Sequence, residues 1–453
     1  MDTAVIINGC IEAAQEAKYE PMNHSTKPNA DHVQSWYAAT AHTLPNCPTL
    51  KESIDVDVCV VGGGFTGLTA ALTLSRAGYR VALVESQRIG WGASGRNGGQ
   101  IGSGQRKDMF ELESMVSDGD AKRLWSAAQA GKRFLCALVE QYDIQCDLHW
   151  GHISAASKPS HADHLHRYCD HLRQKYGYLD CDPISRSTMR EHIDTSIYFG
   201  GLLDRSAGHL HPLNYALGIA RAALDHGAQL FERTTATAID STGTGHRVVC
   251  ESGQVTAKSV LLACNGYLER LHPRLAGKIM PINNYIIATE PLGEQTAQRL
   301  IRGNVAVADT RFVVNYYRLS TDTRLLFGGG ESYRRRFPAD IPSFVRKHML
   351  NVFPQLSDKR IDFGWGGTLA ITLNRLPSVG RVDGDIYYAQ GFSGHGVVMA
   401  GYCGHLVAKA ITGTMEDYDL FARVPQPRFP GGTLLRWPGL VAGMLYYSLR
   451  DRL

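Results

Sequence analysis

The apolar run Val58-Cys59-Val60-Val61 leads directly into Gly62-Gly63-Gly64-Phe65-Thr66-Gly67, and no other stretch constrains the chain as strongly. Gly62-x-Gly64-x-x-Gly67, placed after a short strand and before a helical period, is the fingerprint of a fold that binds an adenine dinucleotide. Each glycine has a mechanical task. Gly62 permits the tight turn, Gly64 lets the backbone approach a pyrophosphate, and Gly67 lets the helix pack close on the strand. The helix is expected over residues 66–77, with Leu68, Ala71, Leu72 and Leu74 apolar and Gly78 where a helix stop belongs. Its first turn offers unpaired N–H groups and the positive end of a dipole to a diphosphate. A second strand over 79–84 leads to Glu85, an acid placed to accept hydrogen bonds from an adenosine ribose.

A chain of 453 residues suggests roughly two or three domains. The net charge is only +4, and the longest cationic run is Arg334-Arg335-Arg336, so nucleic acid is not an expected partner. Ten cysteines are scattered without a CxxC pair, which fits a reducing compartment. No basic residue precedes Lys18, no apolar signal-like core follows, and no apolar stretch is long enough for a membrane span. These features predict a soluble, cytoplasmic protein.

The elements of the nucleotide unit recur at separated places. Residues 1–50 read as a leader with a docking segment near Trp36-Tyr37. Residues 51–146, 206–272 and 356–424 read as one discontinuous nucleotide-binding domain. Residues 147–205 and 273–355 form a second domain, antiparallel because apolar and polar residues alternate over 280–332. Residues 425–453 form a tail helix, whose Leu435, Trp437, Leu440, Val441, Met444 and Leu445 would pack on the body, seek a membrane surface or meet another subunit. Helices are expected over 118–142, 212–226 and 397–412. A helix carrying His161, His164, His166 and His171 follows a strand at 152–156. No cysteine or carboxylate cluster completes a metal site there, so the helix is expected to be exposed and no metal is expected.

This layout suits FAD, whose adenine and isoalloxazine ends must be held by distant parts of a chain. Gly90-Trp91-Gly92-Ala93-Ser94-Gly95-Arg96-Asn97-Gly98-Gly99-Gln100 is rich in glycine, so its backbone can approach a flat ring system. The strand and turn of 260–266 pass beside the dinucleotide. Gly391-Phe392-Ser393-Gly394-His395-Gly396 opens a helix whose N-terminus can stabilise negative charge on a reduced flavin. The candidate cofactor contacts are Gly62, Gly64, Phe65, Thr66, Gly67, Glu85, Ser86 and Arg88 on the first segments. Gly92, Ala93, Ser94, Arg96, Asn97, Gly98, Gly99 and Gln100 come from the glycine-rich loop. Ala263, Asn265, Gly266, Gly394, His395, Gly396 and Val397 complete the set.

On these motifs the chain resembles the D-amino-acid-oxidase-like FAD-dependent amine oxidoreductases, and within them the bacterial gamma-glutamylputrescine oxidoreductases. The match also rests on Gly208-His209-Leu210-His211-Pro212-Leu213-Asn214, Tyr316-Tyr317-Arg318-Leu319, Leu325-Leu326-Phe327-Gly328-Gly329-Gly330 and the tail Tyr446-Tyr447-Ser448-Leu449-Arg450-Asp451-Arg452-Leu453. The resemblance implies an α/β fold, with a Rossmann-type, glutathione-reductase-like FAD domain and a second, antiparallel-sheet-rich substrate domain. It further implies oxidation of gamma-glutamylputrescine or a related acylated polyamine by hydride transfer to flavin N5, giving an imine that hydrolyses to an aldehyde. Sarcosine-oxidase-type members carry a substrate-binding lysine shortly after the Gly391–Gly396 motif, whereas here Val397-Val398-Met399 follows. They also attach the flavin through a cysteine in the segment before it, and 365–381 has none, so FAD is expected to be non-covalent. No lysine that would promote reaction with oxygen stands in 324–330, which leaves oxygen or another carrier as electron acceptor. His395 is placed nearest the ring, Arg318 meets a substrate carboxylate or a sheet acid, and Trp365 walls the pocket or joins the core. The competing readings are a D-amino-acid or N-methyl-amino-acid dehydrogenase, an FAD-binding subunit of a larger complex, and a nicotinamide-binding protein. The tail helix would serve a homo-oligomer or a peripheral contact.

Overall fold

A computed structural model describes residues 31–332, 336–433 and Arg436. The leader before residue 31, Arg334-Arg335 and most of the expected tail helix, including 446–453, lie outside the described residues.

Two sheets organise the molecule. The first contains β1 (Ser53–Val61), β2 (Val81–Val84), β7 (Gln229–Phe231), β8 (Ala236–Thr242), β9 (Gly245–Cys250), β10 (Gln254–Leu262), β16 (Ser378–Val382) and β17 (Ile386–Gln390). Its order is β16-β17-β10-β1-β2-β7, with the β8–β9 hairpin attached to β10. The pairs β17–β10, β10–β1, β1–β2 and β2–β7 are all parallel. Parallel strands are covered on both faces, which is why β2 and the second half of β1 (Val58–Val61) read as unbroken apolar runs instead of alternating ones. The helix α2 (Phe65–Arg76) packs on this sheet beside α6 (Pro212–Asp225) and α8 (Gly396–Ile411). Thr69 donates its hydroxyl to Gly401 O at 2.8 Å, and a Cβ on Gly404 would lie 2.1 Å from Thr66 O, so α2 and α8 cross closely.

The second sheet contains β3 (Gln100–Ile101), β4 (His149–Ala155), β5 (Cys181–Ile184), β6 (Gly201–His209), β11 (Met280–Thr289), β12 (Ala306–Asp309), β13 (Tyr316–Leu319), β14 (Leu325–Ser332) and β15 (Ile361–Ile371). Its order is β15-β11-β14-β13-β12-β4-β6-β3, antiparallel throughout that path except for the parallel pair β12–β4. Strand period sorts its side chains. Ile153, Tyr285, Ile287, Tyr317 and Phe327 face a core shared with Val345, Met349 and Val352 of α7 (Ile341–Val352). Ile286, Ala288, Leu326 and Trp365 face the other way, into the core of the nucleotide-binding half.

Three expectations need correction. The boundary drawn at residue 356 gives β15 to the FAD domain, yet β15 pairs along its length with β11 in the second sheet. That drawn at 205/206 cuts through β6, and β3, the end of the glycine-rich loop, also pairs with β6. Hydrogen bonding thus joins the glycine-rich loop to the second sheet. The histidine-rich helix α5 (Pro159–Tyr176) is not simply solvated. Its His164 and His171 sit 2.8 and 2.7 Å from Asp108 and Glu113, beside the helix α3 (Met109–Met115). No group of metal-ligating residues is assembled there or elsewhere among the described residues.

The docking segment is integral. Ser35 caps the short helix α1 (Trp36–Ala39), which buries Trp36 and Tyr37 completely against His211 and, for Tyr37, Trp365. Two aromatic side chains of this size bury roughly 150–250 Å² each, enough to anchor a segment with little other structure. The long helix α4 (Asp118–Gln141) follows α3 in the chain and packs on α8. No helix among the described residues is long and apolar enough to cross a membrane.

Candidate functional site

The glycine turn expected to bind ADP is built as its glycines require. Gly62 has φ +113°, and a Cβ there would lie 2.8 Å from Ala263 O. A Cβ on Gly67 would lie 1.9 Å from Gly62 O. Gly64 begins α2 without a side chain to cap it, and the Phe65 N–H instead donates to Ser94 Oγ at 2.9 Å. The second glycine-rich segment therefore reaches back to the start of the diphosphate helix. Glu85 follows β2 directly. Its carboxylate accepts the Gly63 N–H at 2.7 Å and the Gln87 N–H at 2.9 Å, with the Ser86 hydroxyl at 3.2 Å. Burial raises the pKa of this carboxyl, against those hydrogen bonds. Arg88 pairs with the buried Glu232 at 2.7 Å and with Asp31 at 3.4 Å, so its charge is already matched within the chain.

The glycine-rich loop is stiffened from within. Asn97 donates to Ala93 O and Ser94 O at 3.0 and 2.9 Å and accepts the Gly99 N–H at 2.7 Å. A Cβ on Gly98 would strike the Tyr316 ring at 2.7 Å, and one on Gly99 would strike Leu210 O at 2.1 Å. Arg96 is buried with its guanidinium 3.8 Å over the Trp91 ring. It donates to Trp91 O at 2.6 Å and Gly366 O at 3.2 Å, while its Nη2 has no partner among the described residues. An orphaned donor on a buried cation costs roughly 1–3 kcal/mol unless a ligand completes it. Gln100 donates to Val307 O at 2.8 Å, turning its carbonyl toward His152 Nε2 at 3.4 Å.

The third and fourth segments meet where Asn265, at φ +47°, accepts the Gly391 N–H at 2.9 Å. Neighbouring Ala263 backs Gly62, and Gly266 lies against β15. His395 starts α8 without capping it; its Nε2–H donates instead to Gly104 O at 3.0 Å. The first N–H groups of α8, from Gly396 and Val397 onward, carry no side-chain cap, and Gly394 (φ +86°) has open space around it. Trp365 is a core residue whose indole donates to Arg96 O at 3.0 Å, so it backs the loop.

Arg318 does not pair with an acid of the sheet. It is buried, and it donates to Gly98 O, Leu319 O, Leu210 O and the Tyr37 hydroxyl at 3.0–3.3 Å, with no acid in ion-pair range among the described residues. Sequence reading missed Tyr37, His211 and His152, which the fold brings to this region. A period of two across β4 marks His152 as facing opposite to Ile153; nothing local marks the other two.

Uncapped helix starts, close glycine backbones and the orphaned Arg96 Nη2 together fit a long anionic dinucleotide with a polar ring system. Burial holds His395 and His405 at about 4 and His211 at about 3, against 6.5 for an exposed imidazole. In the unfolded chain these groups take up protons near 6.5. Stability is therefore expected to fall as pH drops from about 6.5 to about 4, because the unfolded state then binds more protons. Thermal unfolding in a buffer series checks this, and a melting temperature that rises across that window would contradict it.

The family model for FAD dependent oxidoreductase, DAO, matches residues 57–410. Gamma-glutamylputrescine oxidoreductase of Escherichia coli K12 is 41% identical over 424 residues, which cover 93% of this chain and 99% of that protein. The probable oxidoreductase OrdL of Haemophilus influenzae is 36% identical over 93% of this chain and 98% of its own length. Among solved structures, glycine oxidase from Geobacillus kaustophilus superposes with a TM-score of 0.69 at 22% identity, covering 79% of this chain and 95% of that one. L-proline dehydrogenase from P. horikoshii gives 0.64 at 22% identity, over 83% and 98%. These structures share the fold, an α/β nucleotide-binding half joined to a sheet-rich half. The chain belongs to the DAO family of FAD-dependent oxidoreductases, with FAD as its cofactor.

Proposed function

We propose that this enzyme oxidises gamma-glutamylputrescine or a closely related acylated polyamine at its free amine. The observation that carries the reading is the 41% identity, across nearly the whole of both chains, to an enzyme named for that substrate. When bound, FAD supplies the two-electron acceptor for the C–H bond beside the amine nitrogen. The substrate leaves as an imine, which water hydrolyses to an aldehyde and ammonia. The residues of the chain orient and exclude water. Gly62, Gly64 and Gly67 bring backbone to the diphosphate, Glu85 stands at the ribose position, and Arg96 of the cofactor loop keeps an unmatched Nη2 donor. Val397, Val398 and Met399 are buried and apolar, so the start of α8 offers no cation to a carboxylate beside the reacting amine. This favours a long aliphatic arm whose charged end is held elsewhere. Residues 365–381 contain no cysteine, which favours non-covalent FAD.

Anaerobic mixing of the yellow protein with a panel of amines tests the proposal. Acylated diamines are expected to bleach the flavin rapidly, and glycine, sarcosine and D-alanine are expected to do so far more slowly or not at all. The opposite order would overturn it. Admitting air afterwards reports whether oxygen reoxidises the flavin or another carrier is required.

A further inference from the structure

His152 stands on β4, on the face opposite Ile153, and so turns toward the nucleotide-binding half. Its ring chemistry is fixed by a neighbour. The Gln100 side-chain N–H donates to Val307 O at 2.8 Å, and flipping that amide would set two acceptors against each other. The Gln100 carbonyl oxygen therefore faces His152 Nε2 at 3.4 Å, and a weak contact to an acceptor requires Nε2 to carry the proton. Burial depresses the pKa of His152, against the opposing field of Asp204, its cross-strand partner on β6, so the ring is neutral at pH 7. A neutral imidazole with a proton on Nε2 has its lone pair on Nδ1, and that atom has no hydrogen-bond partner among the described residues.

His395 repeats the arrangement. A carbonyl, Gly104 O, holds its Nε2–H at 3.0 Å, leaving its Nδ1 as an acceptor. Its ring lies against Gly102, where a Cβ would meet Cε1 at 2.4 Å. Both rings are thus pinned to one short segment, residues 100–104, which continues the glycine-rich cofactor loop into the second sheet. Neither Nδ1 can donate to a carboxylate or a carbonyl, because each ring's one proton is already committed at Nε2. Both suit a ligand that presents N–H donors.

Building on the amine reading above, we infer that His152 Nδ1, paired with His395 Nδ1, accepts the N–H donors of the substrate amine and positions it at the cofactor loop. The bland alternative is that His152 only anchors Gln100.

Two side chains separate these roles. Asparagine places its amide near the Nδ1 position and keeps an acceptor there while losing the tie to Gln100. Glutamine reaches the Nε2 position and keeps the tie while losing the acceptor. The measurement is the dissociation constant and limiting rate of anaerobic flavin bleaching by gamma-glutamylputrescine, taken with FAD content and melting temperature. His152→Asn is expected to bind the amine within a few-fold of the parent, whereas His152→Gln and His152→Leu are expected to bind it roughly 10- to 100-fold more weakly. A parent-like His152→Gln with an impaired His152→Asn would overturn the inference in favour of simple anchoring. Three variants with the same amine affinity would also overturn it. If no amine bleaches even the parent protein, the amine reading fails first, and that outcome is visible before any variant is made.

Discussion

Gly67→Ala is expected to give a protein that is strongly destabilised and purifies without yellow colour. The added Cβ would sit 1.9 Å from Gly62 O. That oxygen cannot retreat, because the turn is held from both sides: Gly62 N–H donates to Val84 O at 2.9 Å, and Ala263 N–H donates to Val61 O at 2.8 Å. Moving the helix instead meets α8, where Gly404 is so close that its own Cβ would lie 2.1 Å from Thr66 O. Overpacking commonly costs about 1–3 kcal/mol, and a clash between backbones pinned on both sides belongs at or above the top of that range. Any shift that relieves it also withdraws the first N–H groups of α2 from the diphosphate, so cofactor retention falls together with stability. Gly78→Ala is the control. Gly78 has φ +84° but nothing within 4 Å of its Cβ position, so only the left-handed backbone penalty of about 1–2 kcal/mol applies. The FAD-to-protein ratio and the melting temperature are the measurements. A Gly67→Ala protein with full FAD content and an unchanged melting temperature would refute the close-packing argument.

The contrast between those glycines marks what the sequence could and could not reveal. The turn at Gly62–Gly67 was legible because three glycines, an apolar strand and a helical period all answer to one local geometry. The parallel strands were legible through their unbroken apolar runs, and Glu85 through its place at a strand end. The domain boundaries were not legible to the same degree. Whether β15 hydrogen-bonds to β11 or to β17 depends on contacts between distant residues, and an alternating strand reads the same in either sheet. Tyr37 illustrates the same limit. In the sequence it is an aromatic residue in a polar leader, and only the folded chain places it against Trp365 and Arg318. His164 and His171 look like a solvated row until α3 brings Asp108 and Glu113 to them. Charged and polar side chains take their roles from partners, and partners are a property of the tertiary structure.

Arg318 is where that distinction has its largest testable consequence. A lone arginine in a sheet next to a glycine-rich loop invites the reading of a substrate clamp, but four of its five N–H groups are already engaged. Nε binds Gly98 O of the glycine-rich loop at 3.0 Å, Nη1 binds Leu319 O at 3.1 Å, and Nη2 binds Leu210 O at 3.0 Å and the Tyr37 hydroxyl at 3.3 Å. One guanidinium therefore joins the cofactor loop, the chain entering α6, the second sheet and the docking segment. Arg318→Met keeps much of the volume but takes the guanidinium donors away from three carbonyl oxygens, two of them buried. Each such loss costs roughly 1–3 kcal/mol, and because the losses share one site the total is expected near 3–5 kcal/mol. Arg318→Lys keeps the charge but not the planar fork, so it rescues only part of the loss. Denaturant unfolding of the FAD-loaded proteins is expected to rank parent, Lys, then Met, with FAD affinity following the same order because Gly98 is released. If Arg318 instead held a substrate carboxylate, both variants would keep parental stability and FAD content and would differ only in amine affinity, and that pattern would refute the structural role.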